Sequence, residues 1–139
     1  MRCSRRKVTL KFTTMKKLLF LPLVLISCLC LAQNPKAIIG KPIKIGNILV
    51  AQYDFPERMN WYNSEKSCWS LGEGWRLPTR KELNTMYVNK DKIGRFENDV
   101  YWSSTESNED AAWCQLFAGG AQGDPQKKNT LYVRAVKSL

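Results

Sequence analysis

The segment Gly74-Trp75-Arg76-Leu77-Pro78-Thr79, with Glu82-Leu83 just beyond it, constrains the path of this chain more tightly than any other stretch. Pro78 fixes its own φ and pushes Leu77 toward extended backbone, because the pyrrolidine ring collides with a preceding residue in helical conformation. Thr79 and Glu82 stand in the Thr-x-x-Glu spacing of a capping box. In that box each side chain satisfies a backbone N–H that the first helical turn would otherwise leave orphaned. The chain is therefore expected to run extended through Trp75–Leu77, turn once and enter a helix at Thr79.

Residues 1–32 stand apart from this. Met15-Lys16-Lys17 followed by the apolar run Leu18–Ala32 has the charged start and short hydrophobic centre of a secretory signal, and it is short for a membrane span. Met15 suits the first residue of such a signal, so residues 1–14 read as an over-extended start or a basic leader. Cys30-Leu31-Ala32 before Gln33 reads as a cleavage site. The alternative route is lipidation at Cys28, where Leu25-Ile26-Ser27-Cys28 looks like the box preceding a lipid-modified cysteine, and only such an anchor would tie the chain to a membrane. The expected location is thus exported: periplasmic, secreted or on the outer surface.

Stripping the leader changes the electrostatics. It carries seven of the 22 Lys and Arg and none of the 12 acids, so a net charge of +10 falls to +3 for residues 33–139. A surplus that small, spread along the chain, is an ordinary solvated surface and gives no nucleic-acid footprint. Histidine is absent altogether. Ser-His-Asp and Cys-His nucleophiles, His-ligated zinc and imidazole proton shuttles are therefore excluded. Carboxylate pairs remain available, but no spacing singles out an acid and a nucleophile. The expectation is a chain that is not an enzyme.

Residues 33–139 suffice for one domain with one core. Residues 33–37 read as a tether. Ile38–Ile45, broken by Gly40 and Pro42, reads as a short edge strand and Ile48–Tyr53 as a firmer one. From the N-cap Asn60, a helix places Trp61, Cys68 and Leu71 on one stripe and ends at Gly72. A second helix runs from Thr79 to about Asn89, with Leu83, Met86 and Tyr87 inward and Arg80, Lys81 and Asn84 on the wet side. Val100–Ser103, Ala112–Phe117 and Leu131–Val136 read as three later strands, with a long Gly119–Asn129 loop between the last two. The order predicts an α+β fold: two helices packed on a mainly antiparallel twisted sheet.

At these residues the sequence resembles the C-terminal domain of collagen-like bacterial adhesins, a domain-of-unknown-function family. The resemblance rests on Trp61, Cys68, Leu71 and Gly72; on Gly74–Thr79 with Glu82-Leu83; on Tyr101-Trp102-Ser103-Ser104-Thr105; and on Trp113, Phe117, Gly120 and Tyr132–Val136. It implies a C-type-lectin-like fold over residues 38–139, in which the chain ends pair and long loops on one side bind. It also implies an exported or surface module of the cell envelope. No Gly-x-y stalk is present, and neither is the Glu-Pro-Asn or Gln-Pro-Asp triplet with which sugar-binding C-type lectins hold calcium.

Candidate site residues follow from chemistry. Trp75, Trp102 and Trp113 read as core anchors, Arg76 and Arg134 as locks on carboxylates, carbonyls or aromatic faces, and Ser103, Ser104 and Thr105 as donors to loop backbone. Trp69 lies off the first helix's apolar stripe and is expected to be exposed. The loop residues Gln122, Asp124, Gln126, Lys127, Lys128 and Asn129 are the candidate ligand contacts. Glu106, Glu109 and Asp110 could collect oxygens around calcium, although a solvated loop is the plainer reading and no cofactor is expected. Cys68 and Cys114 are a candidate disulfide, with two buried thiols as the alternative. The leading function is a binding module that recognises a glycan or an envelope protein. A structural accessory protein and an oxidase resembling the formylglycine-generating enzyme, with copper on the two cysteines, are the alternatives.

Overall fold

The computed structural model describes residues 34–139; the leader, its cleavage site and the lipidation alternative at Cys28 lie outside them. The chain begins with a short helix α1 (Pro35–Ile39), then β1 (Ile43–Ile45) and β2 (Ile48–Val50). The edge strand expected from Ile38 is therefore helical at its start. Asn34 caps it by accepting from Lys36 N–H, and Pro35 occupies the first turn, where its missing N–H costs nothing.

Helix α2 (Trp61–Ser70) starts at the N-cap Asn60 and buries Trp61, Ser64 and Cys68. After β3 (Trp75–Arg76), α3 (Arg80–Val88) opens on the Thr79–Glu82 capping box and buries Leu83 and Met86. A further turn, α4 (Lys90–Ile93), precedes β4 (Val100–Glu106), β5 (Ala112–Leu116), β6 (Gln122–Gly123) and β7 (Val136–Ser138).

The strands form two antiparallel sheets rather than one. The first has the order β1-β2-β7-β3 and the second β4-β5-β6. Pairing of Val50 with Val136 and of Ile48 with Ser138 brings the two ends of the domain together. The single strand expected over Leu131–Val136 is instead the passage between the sheets. Leu131 bridges Met59 and Tyr132 bridges Tyr101, Val133 and Ala135 accept from the Phe55 and Ala51 N–H groups, and only at Val136 does sheet pairing resume.

Two hydrophobic clusters fill the interior. One gathers Trp61, Cys68 and Leu71 with Trp75, Leu77, Trp102 and Cys114; the other gathers Leu83 and Met86 with Ile48, Val50, Tyr101, Phe117 and Val136. Neighbouring residues Tyr101 and Trp102 fall in different clusters, as the two-residue alternation of a strand requires. Strand β4 is thus buried on both faces, with α2 serving one cluster and α3 the other.

Candidate binding face

The long loop after β5 is tied down along its length. Gly120 opens it at φ +82°, a position where an added Cβ would lie 2.5 Å from the Tyr87 ring. Ala112 N–H then donates to Pro125 O, and Lys127 N–H to Asp110 O. Lys127, expected as a ligand contact, is instead an anchor: it is only 4% exposed. Its Nζ donates to Glu106 Oε2 at 2.5 Å and to Glu109 O at 2.6 Å, and lies 4.8 Å from the Trp61 ring centroid. The hydrogen bond that Lys127 donates to Glu106 holds its pKa above the ordinary lysine value.

Gln122 is likewise committed. Its Oε1 accepts from Arg80 Nε at 2.8 Å and its amide donates to buried Gln115, which in turn donates to Asn84. Asp124, Gln126, Lys128 and Asn129 remain exposed. Gln126 and Lys128 meet Asp110 and Tyr62 around a depression of about 340 Å³. Tyr62 is 59% exposed and sets its ring edge-on to Trp61, with centroids 5.5 Å apart.

Trp69 is 64% exposed. It borders a second depression of about 510 Å³ together with Glu73, Trp75 and Arg76. Trp75 and Trp102 are core residues, whereas Trp113 is only half-buried. On β5 its neighbours Ala112 and Cys114 face the first cluster and Trp113 the other side, where the guanidinium of Arg80, expected on the wet side, lies 3.3 Å over its ring.

The acids proposed for calcium do not converge. Glu106 is taken up by Lys127, Glu109 contributes its backbone carbonyl, and among the described residues no group of three His, Cys, Asp or Glu is placed to hold a metal. Cys68 and Cys114 are free thiols in the first cluster, not a disulfide. Burial lifts both pKa values, Cys114 to about 11 and Cys68 further. Ser103 Oγ donates to Trp113 O, and Ser104 N–H and Oγ both donate to Pro78 O.

Two arginines lock the frame. Arg76 grips Glu82 through two parallel bonds of 2.7 and 2.9 Å and also reaches Ser138 Oγ, joining β3, α3 and β7. That bidentate bond holds the Glu82 carboxyl below the usual range. Arg134, 1% exposed, donates to Asp54 Oδ1, to the carbonyls of Ala51, Gln52 and Arg95, and stacks 4.3 Å from Phe96. Arg95 adopts φ +61°, a left-handed conformation that costs a non-glycine residue energy and is held here by this bond. Tyr101 Oη completes the set by donating to Asp54 Oδ2 and accepting from Glu97 N–H. Burial raises the Asp54 pKa, opposed by Arg134 and Tyr101.

Sequence reasoning overlooked Asp54, Arg80 and Tyr62. For Tyr62 a signal existed: it lies seven residues before Trp69 and, like it, off the buried stripe of α2.

These features define a small mixed α/β domain with antiparallel sheets, of the kind seen in C-type-lectin-like proteins. A chain of the complex between a von Willebrand factor mutant A1 domain and botrocetin is similar, with TM-score 0.54 at 10% identity over 72% of this chain and 98% of that chain. Botrocetin alone gives the same values. At that identity the likeness bears on fold only. The family model described as the Lcl C-terminal domain matches residues 43–137, and the chain belongs to that family. No curated protein matches the chain.

Proposed function

We propose that this domain is an exported, non-enzymatic binding module of the bacterial cell envelope that recognises a glycan or a protein through its loop face. The observation that carries the reading is the depression where Gln126 and Lys128 meet Asp110 and the exposed Tyr62 ring. Exposed polar side chains there sit on a loop pinned by buried Lys127, so recognition groups are presented without a large ordering cost on binding. Export is supported by the signal-like residues 15–32. Lack of catalysis is supported by the missing histidine, the two buried thiols with raised pKa values and the commitment of Ser103 and Ser104 to backbone carbonyls. Glu106 being held by Lys127 supports recognition without calcium.

A glycan array, followed by pull-down from envelope extracts, tests this reading. A saturable partner should be found, binding should survive a chelator, and Gln126→Ala with Lys128→Ala should weaken it at least tenfold at unchanged melting temperature. A partner indifferent to that double variant would clear the loop of the role.

A further inference from the structure

The outer side of α2 carries two largely exposed aromatic rings, Tyr62 touching the edge of Trp61 and lying 5.7 Å from Lys127 Nζ. Tyr62 and Trp69 are 59% and 64% exposed, among the largest exposures of any big hydrophobic residue in the domain. Seven residues make nearly two whole turns, so at about 100° per residue the two side chains leave the helix within about 20° of each other. At 1.5 Å per residue their Cα atoms stand about 10 Å apart along the axis. Each ring borders its own depression: Tyr62 the one with Asp110, Gln126 and Lys128, Trp69 the one with Glu73 and Arg76. The helix thus presents two similar half-sites, each an aromatic ring with polar side chains beside it.

That combination matches the chemistry of a pyranose. One face of the sugar ring is a sheet of C–H bonds that lies against an aromatic face, while its hydroxyls point sideways to polar groups. The local charge narrows the class. Lys127 is neutralised by Glu106 and Arg76 by Glu82. What remains is charge in opposed pairs: Lys128 beside Asp110 at one end, Glu73 with Lys137 at the other, and Glu65 with Lys66 between. A polyanion finds no positive field on this strip. The two-turn separation corresponds to about one disaccharide repeat of an extended β-linked chain, so alternate sugars would meet alternate rings.

We infer that the Tyr62–Trp69 face of α2 is a two-point stacking site for an extended, uncharged β-linked polysaccharide. This rests on the binding-module reading and adds a second contact region that the loop does not supply. Only Trp69 lies wholly outside the loop-face depression, which makes it the discriminating residue.

Titration calorimetry of the full chain with β-1,4-linked N-acetylglucosamine and glucose oligomers of two and six units tests the inference. For at least one sugar the hexamer should bind at least tenfold tighter than the dimer. Trp69→Ala and Tyr62→Ala should each erase about tenfold of that affinity with unchanged melting temperature, and Trp69→Tyr should retain most of it. No binding of either sugar, equal affinity for the two lengths, or indifference to Trp69→Ala would overturn it. So would size-exclusion chromatography showing that Trp69→Ala converts a dimer to a monomer, because the strip would then be covered by a second copy. If array hits depend on Gln126 and Lys128 but not on Trp69, the loop-face reading stands and this one fails; if no partner of any kind is found, both fail.

Discussion

Replacing Arg134 by Met removes the guanidinium while leaving an apolar side chain of similar length in its place. Four oxygens lose their donor: Asp54 Oδ1 and the carbonyls of Ala51, Gln52 and Arg95. Removing one partner of a buried ion pair costs about 3 to 5 kcal/mol, and carbonyls that stay dry add about 1 kcal/mol each. Protonation of Asp54 limits the total, because a carboxyl already lifted by burial rises further once its cation is gone. The expected loss is about 4 kcal/mol at pH 7, a large share of the 5 to 15 kcal/mol that typical domains possess. Monitored by tryptophan fluorescence in urea, with a slope of about 1.5 kcal/mol/M, the midpoint should fall by about 2.7 M. The sign with pH is fixed: the folded variant binds a proton at Asp54 where the unfolded chain does not, so the variant gains stability as pH falls from 7 toward the unfolded value of about 3.9. The gap from wild type should therefore narrow at pH 5. Asp54→Asn combined with Arg134→Met should be less destabilised than the sum of the single changes by about 1 to 2 kcal/mol. A loss under about 1 kcal/mol for Arg134→Met, or additivity in the double variant, would refute the account of this network as a coupled lock.

Trp75→Ala should cost about 3 to 5 kcal/mol in the same urea assay, since the ring lies in the first core cluster. Lys127→Ala should lower the melting temperature while Lys128→Ala leaves it unchanged, checked by differential scanning fluorimetry. Because Arg76 holds the Glu82 pKa down, the stability from this pair is fully present above the unfolded value of about 4.3 and is lost as pH falls from there through the folded value. Melting curves of Glu82→Gln between neutral and acid pH should show that limb flattened. A thiol reagent at neutral pH should label Cys68 and Cys114 only on unfolding, and rapid labelling of the native protein would contradict their burial.

The features legible in the sequence were those whose signals are local. The capping box at Thr79 and the Asn60 cap each lie within a few residues of the helix they start, and the Trp61, Cys68 and Leu71 stripe repeats at helical spacing. Asn34-Pro35 carries a helix-start signal of the same kind, overshadowed by the β-branched residues that follow. What sequence reasoning could not supply was partnership at distance. Arg134 was readable as a lock, but its carboxylate lies 80 positions away in what reads as a simple turn. Lys127 and Lys128 are indistinguishable as neighbours in a polar loop, and only the return of Glu106 and Trp61 to one spot separates anchor from free side chain. Trp113 faces away from the cluster that holds Ala112 and Cys114, and nothing near it in sequence announces that Arg80 will be its partner there. The division into two sheets depends on the passage Leu131–Ala135, whose pairing switches from Met59 and Tyr101 to Ala51 within five residues.

Strand β7 sits between β2 and β3, so the middle of the first sheet is supplied by Val136–Ser138. A chain emerging amino end first would hold the β1–β2 hairpin and β3 without the strand that joins them until those residues had followed. The strand that joins the sheet's two sides is also the last to arrive, and Arg76 cannot reach Ser138 before then. Closure of the first sheet is thereby deferred until Val136–Ser138 are available, whatever part of the domain has formed before them.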